Sequence, residues 1–200
     1  MAYDSAATRE RLLDAAFREF AARGLAGARV DRIATAARAN KQAVYAYFGS
    51  KDGLFDAVLA DRFGELSETV PFTPDDVPGY AGALVDALAA TPELLRLARW
   101  RSLERAEPTP GEIEVHLLRA RQLRAALDLP DDRTASALFE IIVGICSAWA
   151  ASPVHDSADR DLVVASVAAI VAADLGGPRL SPAVRGRSRS RRGSPTPGGA

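Results

Sequence analysis

The chain has 200 residues, of which 48% are hydrophobic and 26% charged, so it can bury the core of one or two domains. A single cysteine, Cys146, excludes an internal disulfide framework and a cysteine-rich zinc site, and two histidines leave little for any other metal cluster. We therefore expect no metal and no cofactor. Charged residues within the first twenty positions argue against a signal peptide, and no apolar run has the length of a membrane span. These features predict a cytoplasmic protein.

The chain divides into three regions of different charge, although the total is only -1. Residues 1–55 contain nine basic and six acidic side chains, whereas residues 56–178 contain ten basic and twenty acidic ones. Residues 179–200 contain six arginines and no acid. This asymmetry predicts a basic surface joined to an acidic body. A compositional bias, in which arginine replaces lysine, accounts for it equally well.

Apolar periodicity and capping signals predict an all-α fold with about nine helices and no strand. The helices are expected at residues 6–23, 30–37, 41–47, 51–69, 75–90, 92–106, 110–128, 132–151 and 158–175. Threonine followed by proline marks helix starts near Thr73, Thr91 and Thr109, and Gly24 closes the first helix. Beyond the last helix, Gly, Pro, Ser and Arg dominate and predict a disordered tail. Its arginines can contact DNA or another polyanion nonspecifically, or have no measurable role.

Residues 30–48 carry the pattern of two short helices joined by a tight turn. Apolar residues in the first helix recur at the spacing of one helical face: Val30, Ile33, Ala34 and Ala37. Asn40 can cap the second helix, in which Val44 and Phe48 form the inward-facing pair. The opposite side of that helix is polar, basic and aromatic: Lys41, Gln42, Tyr45 and Ala46. Together these features predict a helix-turn-helix, whose second helix enters the major groove of DNA.

The residue types on this outer face suit DNA binding. Gln42 can donate to and accept from adenine at once, and Lys41 can reach guanine acceptors or a phosphate. Tyr45 and Tyr47 can bind phosphates or pack on sugars and thymine methyl groups. Lys51 falls in the first turn of the next helix, where backbone amides and the helix dipole already favour a phosphate. The alternatives are partial packing of the two tyrosines against the first helix and a solvated surface position for Lys51.

Three segments, Ile33–Ala34, Asn40–Phe48 and Gly49–Phe55, closely resemble the DNA-binding domain of the TetR/AcrR transcriptional regulators over about residues 8–60. The resemblance implies a helix-turn-helix DNA-binding domain at residues 1–50 and a helical regulatory and dimerisation domain at residues 51–176. Residues 51–69 would form the connecting helix, and residues 177–200 remain as the Arg/Gly/Pro/Ser tail. The predicted DNA-binding residues are Arg29, Asn40, Lys41, Gln42, Tyr45, Tyr47 and Lys51.

The chain departs from the family pattern at three positions. Arg38 stands in the turn where the family usually has glycine, and a left-handed backbone there would cost a non-glycine residue roughly 1 kcal/mol. Ala28 and Arg29 replace the usual capping Ser or Thr before the second helix, so Arg29 can supply a charge instead of a hydroxyl. Gln42 occupies a position where small residues are common. These differences bear on the operator sequence rather than on the fold.

Two helical segments near the end, residues 138–151 and 162–175, are apolar almost all round and need burial on more than one face. Pairing with the same helices of a second chain would give a two-fold four-helix interface. The alternative is a pair of central core helices in a monomer. The predicted dimer-interface residues are Ile141, Ile142, Ile145, Trp149, Val163, Val167 and Ile170.

The middle helices predict a small-molecule pocket, because such sites are apolar with a few polar groups. Its predicted lining residues, each of which can equally be ordinary core, are Phe63, Leu97, Trp100, Leu103, His116, Phe139 and Trp149. An enzyme is not expected, because Cys146 lies in the most apolar helix, where a thiol is inert, and no Gly-rich phosphate loop follows a strand.

The sequence therefore predicts a ligand-responsive transcriptional regulator, in particular a homodimeric repressor that binds a palindromic operator and is released by a small molecule. One alternative is a helical small-molecule carrier or sensor whose helix-turn-helix does not read a defined site. Another is a constitutive DNA-binding dimer with a filled core and no ligand. Sequence-selective, salt-dependent DNA binding separates the carrier from the other two.

Overall fold

A computed structural model describes residues 2–105, 107–152 and 159–173, and in this part of the chain it contains nine helices and no strand. The helices are α1 (Ala2–Gly27), α2 (Val30–Ala36), α3 (Lys41–Phe48), α4 (Lys51–Thr69), α5 (Val77–Ala90), α6 (Pro92–Glu104), α7 (Pro110–Leu127), α8 (Asp132–Ala150) and α9 (Arg160–Ala172). The predicted all-α fold is confirmed. The predicted tail at residues 177–200 lies outside the described residues.

Short polar side chains fix where α3, α4 and α7 begin. Asn40 Oδ1 accepts from the N–H of Ala43 at 2.7 Å, and Ser50 Oγ accepts from the N–H of Gly53 at 2.9 Å. Thr109 caps α7 and forms a capping box with Glu112. Each cap satisfies a backbone donor that has no partner within the helix.

One predicted helix start and one predicted side-chain cap are wrong. The Thr73–Pro74 signal forms a turn, and α5 begins at Val77 because the carboxylate of Asp76 accepts from the N–H of Gly79 at 3.0 Å. Thr91 does precede α6, but its side chain makes no capping hydrogen bond. Asp76, rather than Thr73, is the N-cap residue of α5, because its carboxylate also interacts favourably with the helix dipole.

The first domain, α1 to α3, packs with the connecting helix α4 around two aromatic rings. Phe20 of α1 and Phe55 of α4 are fully buried, and their rings meet edge to face with centroids 5.0 Å apart. Ile33 of α2 and Val44 of α3 are also fully buried and join the same core. The two short helices are therefore held by their apolar faces, which leaves their other faces to solvent.

The second domain packs α5 against α8 and α9, and α7 against α8. Leu123, Ile142, Cys146 and Val167 contribute its most deeply buried side chains. Among the described residues, α8 alone has the length and hydropathy that a membrane span requires, a property it shares with the core helices of globular domains. Here its inner face lies in the domain core.

The α6 helix joins the two domains by packing against α1. Both oxygens of its Glu104 accept backbone N–H groups at the end of α1, one from Leu25 and one from Ala26 at 3.2 Å. Just after α6, Arg105 forms an ion pair with Asp56 of α4 at 2.9 Å. The second domain thus holds the first through α1 and α4.

Candidate nucleic-acid interface

The turn between α2 and α3 is a Schellman motif. The N–H of Ala39 donates to the carbonyl of Ala34 at 2.9 Å, and the N–H of Arg38 donates to the carbonyl of Thr35 at 3.1 Å. Arg38 has a φ of 53° and so lies in the left-handed region that this motif reserves for glycine. The condition under which the sequence predicted a cost for a non-glycine residue, a left-handed backbone at this position, is therefore met.

The α3 helix is anchored by one face and exposes the other. Val44 is fully buried, and the half-buried ring of Phe48 lies under the guanidinium of Arg9 at 5.5 Å. On the other side Tyr45 is 44% exposed and Tyr47 is 38% exposed. Each tyrosine therefore exposes enough of its surface to reach DNA, while the rest of it is covered, as the alternative of partial packing also predicts.

The charged residue at the start of α3 has a local partner. Lys41 Nζ lies 3.1 Å from a carboxylate oxygen of Asp31 in α2, and both side chains are exposed. The hydrogen bond with Asp31, followed by the attraction of its charge, raises the pKa of Lys41. An exposed pair of this kind is weak, so a phosphate or a base can replace Asp31 at little cost. Gln42, the next residue, is exposed as well.

Lys51 lies against the backbone that connects α1 and α2. Its Nζ donates to the carbonyl of Ala28 at 3.3 Å and to that of Ala26 at 3.5 Å, and the side chain is half-buried. The alternative of a freely solvated lysine is therefore wrong. An ammonium group has three donors, so one remains for a phosphate at the start of α4.

The start of α2 is held without a capping hydroxyl. Arg29 occupies the N-cap position, makes no side-chain cap, and donates its backbone N–H to Glu19 Oε1 at 3.1 Å. Burial raises the pKa of Glu19, but hydrogen bonds from Arg32 and from the Arg29 N–H outweigh it and lower the pKa below its ordinary value. Glu19 thus binds the backbone N–H of the N-cap residue but does not replace the missing side-chain cap, and the side chain of Arg29 is exposed.

The predicted ligand-pocket residues do not come together around one cavity. Leu97 is fully buried, while Trp100 lies against Gly24 of α1 at the contact between the domains. Leu103 is 78% exposed, so its prediction as a pocket-lining residue is wrong: it falls on the outer side of the end of α6. Phe63 and Trp149 are partly buried against the core.

Two of the predicted pocket residues do meet, beside residues that the sequence analysis missed. The rings of His116 and Phe139 are 5.6 Å apart, and Phe72 lies 5.5 Å from Phe139. The guanidinium of Arg119 is 5.8 Å from the Phe139 ring, and it donates to Ser67 Oγ at 2.8 Å. Arg119 follows His116 by three residues and so lies on the same helical face. This spacing is the sequence signal that could have placed Arg119 beside His116 in the predicted pocket.

The predicted dimer-interface set divides in two. Ile142, Val163 and Val167 are buried within the single chain, because α5 covers these faces of α8 and α9, so their prediction as interface residues is wrong. Ile141 is 50% exposed. The remaining members of the set are partly exposed: Ile145, Trp149 and Ile170. Leu162, which was not predicted, is 66% exposed.

The fold and this surface define a helix-turn-helix protein, in which a DNA-binding domain is joined through α1, α4 and α6 to a second helical domain. Two family descriptions match the chain: "Bacterial regulatory proteins, tetR family" over residues 12–58 and "Tetracyclin repressor-like, C-terminal domain" over residues 76–173. The HTH-type transcriptional repressor SCO4008 of Streptomyces coelicolor is 47% identical over 128 residues, which cover 64% of this chain and 67% of that protein.

Solved structures agree with this assignment. The putative transcriptional regulator SCO4942 from Streptomyces coelicolor is 36% identical with a TM-score of 0.69, covering 82% of this chain and 97% of that one. A TetR-like transcriptional regulator from Rhodococcus sp. RHA1 shares the fold at 19% identity, with a TM-score of 0.64 and coverage of 84% and 97%. The chain belongs to the TetR family of helix-turn-helix transcriptional regulators, which are DNA-binding proteins and not enzymes.

Proposed function

We propose that the protein is a homodimeric repressor that acts in the cytoplasm, binds a palindromic operator and is released by a small molecule. The observation that carries the proposal is the orientation of α3: its buried Val44 fixes an outer face on which Gln42 and Tyr45 are exposed. Repression is inferred from the similarity to SCO4008, which is described as a repressor.

In this proposal the predicted residues divide the work of DNA binding. Lys41 and Gln42, near the start of α3, reach base edges in the major groove. The other residues position the domain on the phosphate backbone: Arg29, Asn40, Tyr45, Tyr47 and Lys51. Phosphate contacts supply most of the affinity and carry no sequence information, whereas the base contacts select the operator.

Dimerisation is proposed through the exposed sides of α8 and α9, with Ile141 and Leu162 as its most accessible apolar residues. A two-fold dimer would present two α3 helices to the two half-sites of a palindrome.

Effector binding is proposed at the cluster of His116, Phe139 and Arg119. An effector there would alter DNA affinity only if it binds the DNA-bound and free conformations with different affinity.

Selection of DNA from a random pool tests the proposal. The duplex enriched by the full-length protein is titrated with wild type, Gln42→Ala and Tyr45→Ala over a range of salt concentrations. Tyr45→Ala should weaken binding to all duplexes, and Gln42→Ala should relax the preference at one base pair per half-site by about 1–3 kcal/mol. Gln122→Ala is the matched control, because Gln122 is an exposed helical glutamine in α7.

The carrier alternative predicts a different result. The carrier alternative is favoured over the repressor if no sequence is enriched and if Tyr45→Ala leaves the residual DNA binding unchanged. A duplex enriched as a single half-site, without two-fold symmetry, would contradict the palindromic operator while leaving DNA binding in place.

Compounds from a library of small aromatic molecules can then be screened for release of the selected duplex, with Phe139→Ala as the variant expected to lose the response.

A further inference from the structure

Two residues other than glycine take a left-handed backbone in the described part of the chain, and both end helices. Asp128, with a φ of 50°, follows α7, and Arg38, with a φ of 53°, follows α2. Aspartate is frequent in this conformation because its short side chain can bond to nearby backbone groups. Arginine has no such advantage, so the geometry of the turn does not account for Arg38.

The cationic side chains of α2 and α3 have acidic partners, whereas Arg38 itself has none in the described part of the chain. Arg32 of α2 is bound by Glu19, with Nε 2.7 Å from its carboxylate, and Lys41 of α3 is bound by Asp31. The exposed guanidinium of Arg38 makes neither a hydrogen bond nor an ion pair within residues 2–105, 107–152 and 159–173. The turn therefore presents a free cation two residues before Asn40, the cap of the helix with the predicted base contacts.

We propose that Arg38 binds a DNA backbone phosphate, and that this contact is the reason why the turn keeps a strained arginine. The inference rests on the proposed function, because it assumes that α3 enters the major groove. A guanidinium suits the task, since it stays charged and its planar donors match two phosphate oxygens. Strained backbone conformations concentrate at such binding sites.

Substitutions at Arg38 separate the backbone effect from the charge. Arg38→Gly removes both the strain and the charge, Arg38→Gln removes only the charge, and Arg38→Lys keeps both. The matched control is Asp128→Gly, which relieves a left-handed position in the second domain, between α7 and α8. The probes are the duplex selected by the wild type and a mixed-sequence duplex of the same length.

We expect Arg38→Gly to unfold at a higher urea concentration than wild type and yet to bind both duplexes about tenfold more weakly. A plot of the logarithm of the DNA association constant against the logarithm of salt concentration has a negative slope. This slope should become less steep by about 0.9 per bound subunit, because one fewer counterion is released. Arg38→Gln should bind as weakly as Arg38→Gly without gaining stability, and Arg38→Lys should keep most of the affinity. Asp128→Gly should leave DNA binding unchanged.

The inference is overturned if Arg38→Gly and Arg38→Gln bind with wild-type affinity and salt slope while Tyr45→Ala loses binding. That outcome leaves the proposed function intact. It is also overturned if Asp128→Gly weakens binding as much as Arg38→Gly does, because a backbone change would then suffice. If Tyr45→Ala also binds normally, the proposed interface itself fails, and the role of Arg38 fails with it.

Discussion

The indole ring of Trp100 in α6 lies directly against the backbone of Gly24 in α1, at the point where the two domains meet. A β-carbon at Gly24 would come within 2.7 Å of the Trp100 ring and 2.8 Å of Glu104 Oε1. Gly24 also has a φ of 68° and a ψ of 179°, a conformation that is essentially restricted to glycine. The contact between the domains therefore depends on the absence of a side chain at this position.

Replacing Gly24 should destabilise the protein. Gly24→Ala should lower the free energy of unfolding by about 2–4 kcal/mol, because backbone strain and overlap with the Trp100 ring act together. Urea unfolding measures the loss. The control is Gly64→Ala in α4, where nothing lies within 4 Å of the new β-carbon. That change should stabilise the helix by about 0.5–1 kcal/mol.

A second substitution divides the cost at Gly24 into its two parts. Combining Gly24→Ala with Trp100→Ala removes the overlap with the indole ring but leaves the backbone strain and the close approach to Glu104, so the effects of the two substitutions should not be additive. If Gly24→Ala were as stable as wild type, the close approach of α6 to α1 would not exist in solution.

The α6–α7 connection should make stability depend on pH. Glu112 accepts hydrogen bonds from Arg101 Nε and Nη2, both at 2.8 Å, and from the N–H of Thr109 at 2.6 Å. Burial raises the pKa of Glu112, but these bonds and the charge of Arg101 outweigh it and lower the pKa below 4.5. A carboxyl with a lowered folded pKa stabilises the fold above its unfolded pKa and loses that effect as the pH falls through the folded value.

Glu112→Gln tests this dependence. The variant should be less stable than wild type at neutral pH, and the difference should shrink as the pH falls below 4.5 toward the folded pKa. Thermal unfolding measured from about pH 7 to about pH 3 reveals the trend. Glu114→Gln is the control, because Glu114 is exposed on the same helix. A difference between wild type and Glu112→Gln that stays constant with pH would contradict the expectation.

Local signals predicted the fold well, because helix periodicity and caps are encoded within a few residues. Asn40 and Ser50 cap the helices where the sequence placed them, and Gly24 breaks the helical backbone where the first helix was expected to close, although α1 continues to Gly27. The exception is Thr73, where one signal competed with another: Asp76 lies three residues further along and caps α5. A start signal shows that a helix begins nearby, but competing caps decide at which residue.

The second domain was harder to predict because its contacts are nonlocal. Helices α8 and α9 are apolar on several faces, and periodicity alone does not show which face α5 covers and which stays open. Ile141 and Ile142 are neighbours in sequence, yet the first is 50% exposed and the second 1%. Similarly, the hydrogen bond from Arg119 to Ser67 joins residues 52 positions apart in the chain, which no local pattern encodes.

The thiol of Cys146 should be unreactive in the folded protein. Burial raises its pKa to about 11, and Sγ lies 3.7 Å from the carbonyl oxygen of Ala81. Compared with an ordinary pKa of 9.0, the thiolate fraction at pH 8 falls by about 100-fold. Ellman's reagent should therefore react at least that much more slowly with the native protein than with the protein in denaturant. Equal rates in the two states would show that α8 opens readily.

The pair Ile141 and Ile142 separates dimerisation from folding. Ile141→Glu should convert a dimer into a folded monomer, because it places a charge on the exposed side of α8 without disturbing the domain core. Ile142→Ala should instead remain dimeric and lose about 2–5 kcal/mol of stability, since it leaves a cavity in the core. Sedimentation gives the mass, and urea unfolding gives the stability.

A control on another helix locates the interface. Leu118 in α7 is 53% exposed, close to the exposure of Ile141, so Leu118→Glu introduces the same charge at an apolar surface residue of the same domain. It should stay dimeric if the subunits pair through α8 and α9. If Leu118→Glu dissociates the protein and Ile141→Glu does not, the subunits pair through α7, and the spacing of the two α3 helices must be derived from that arrangement instead.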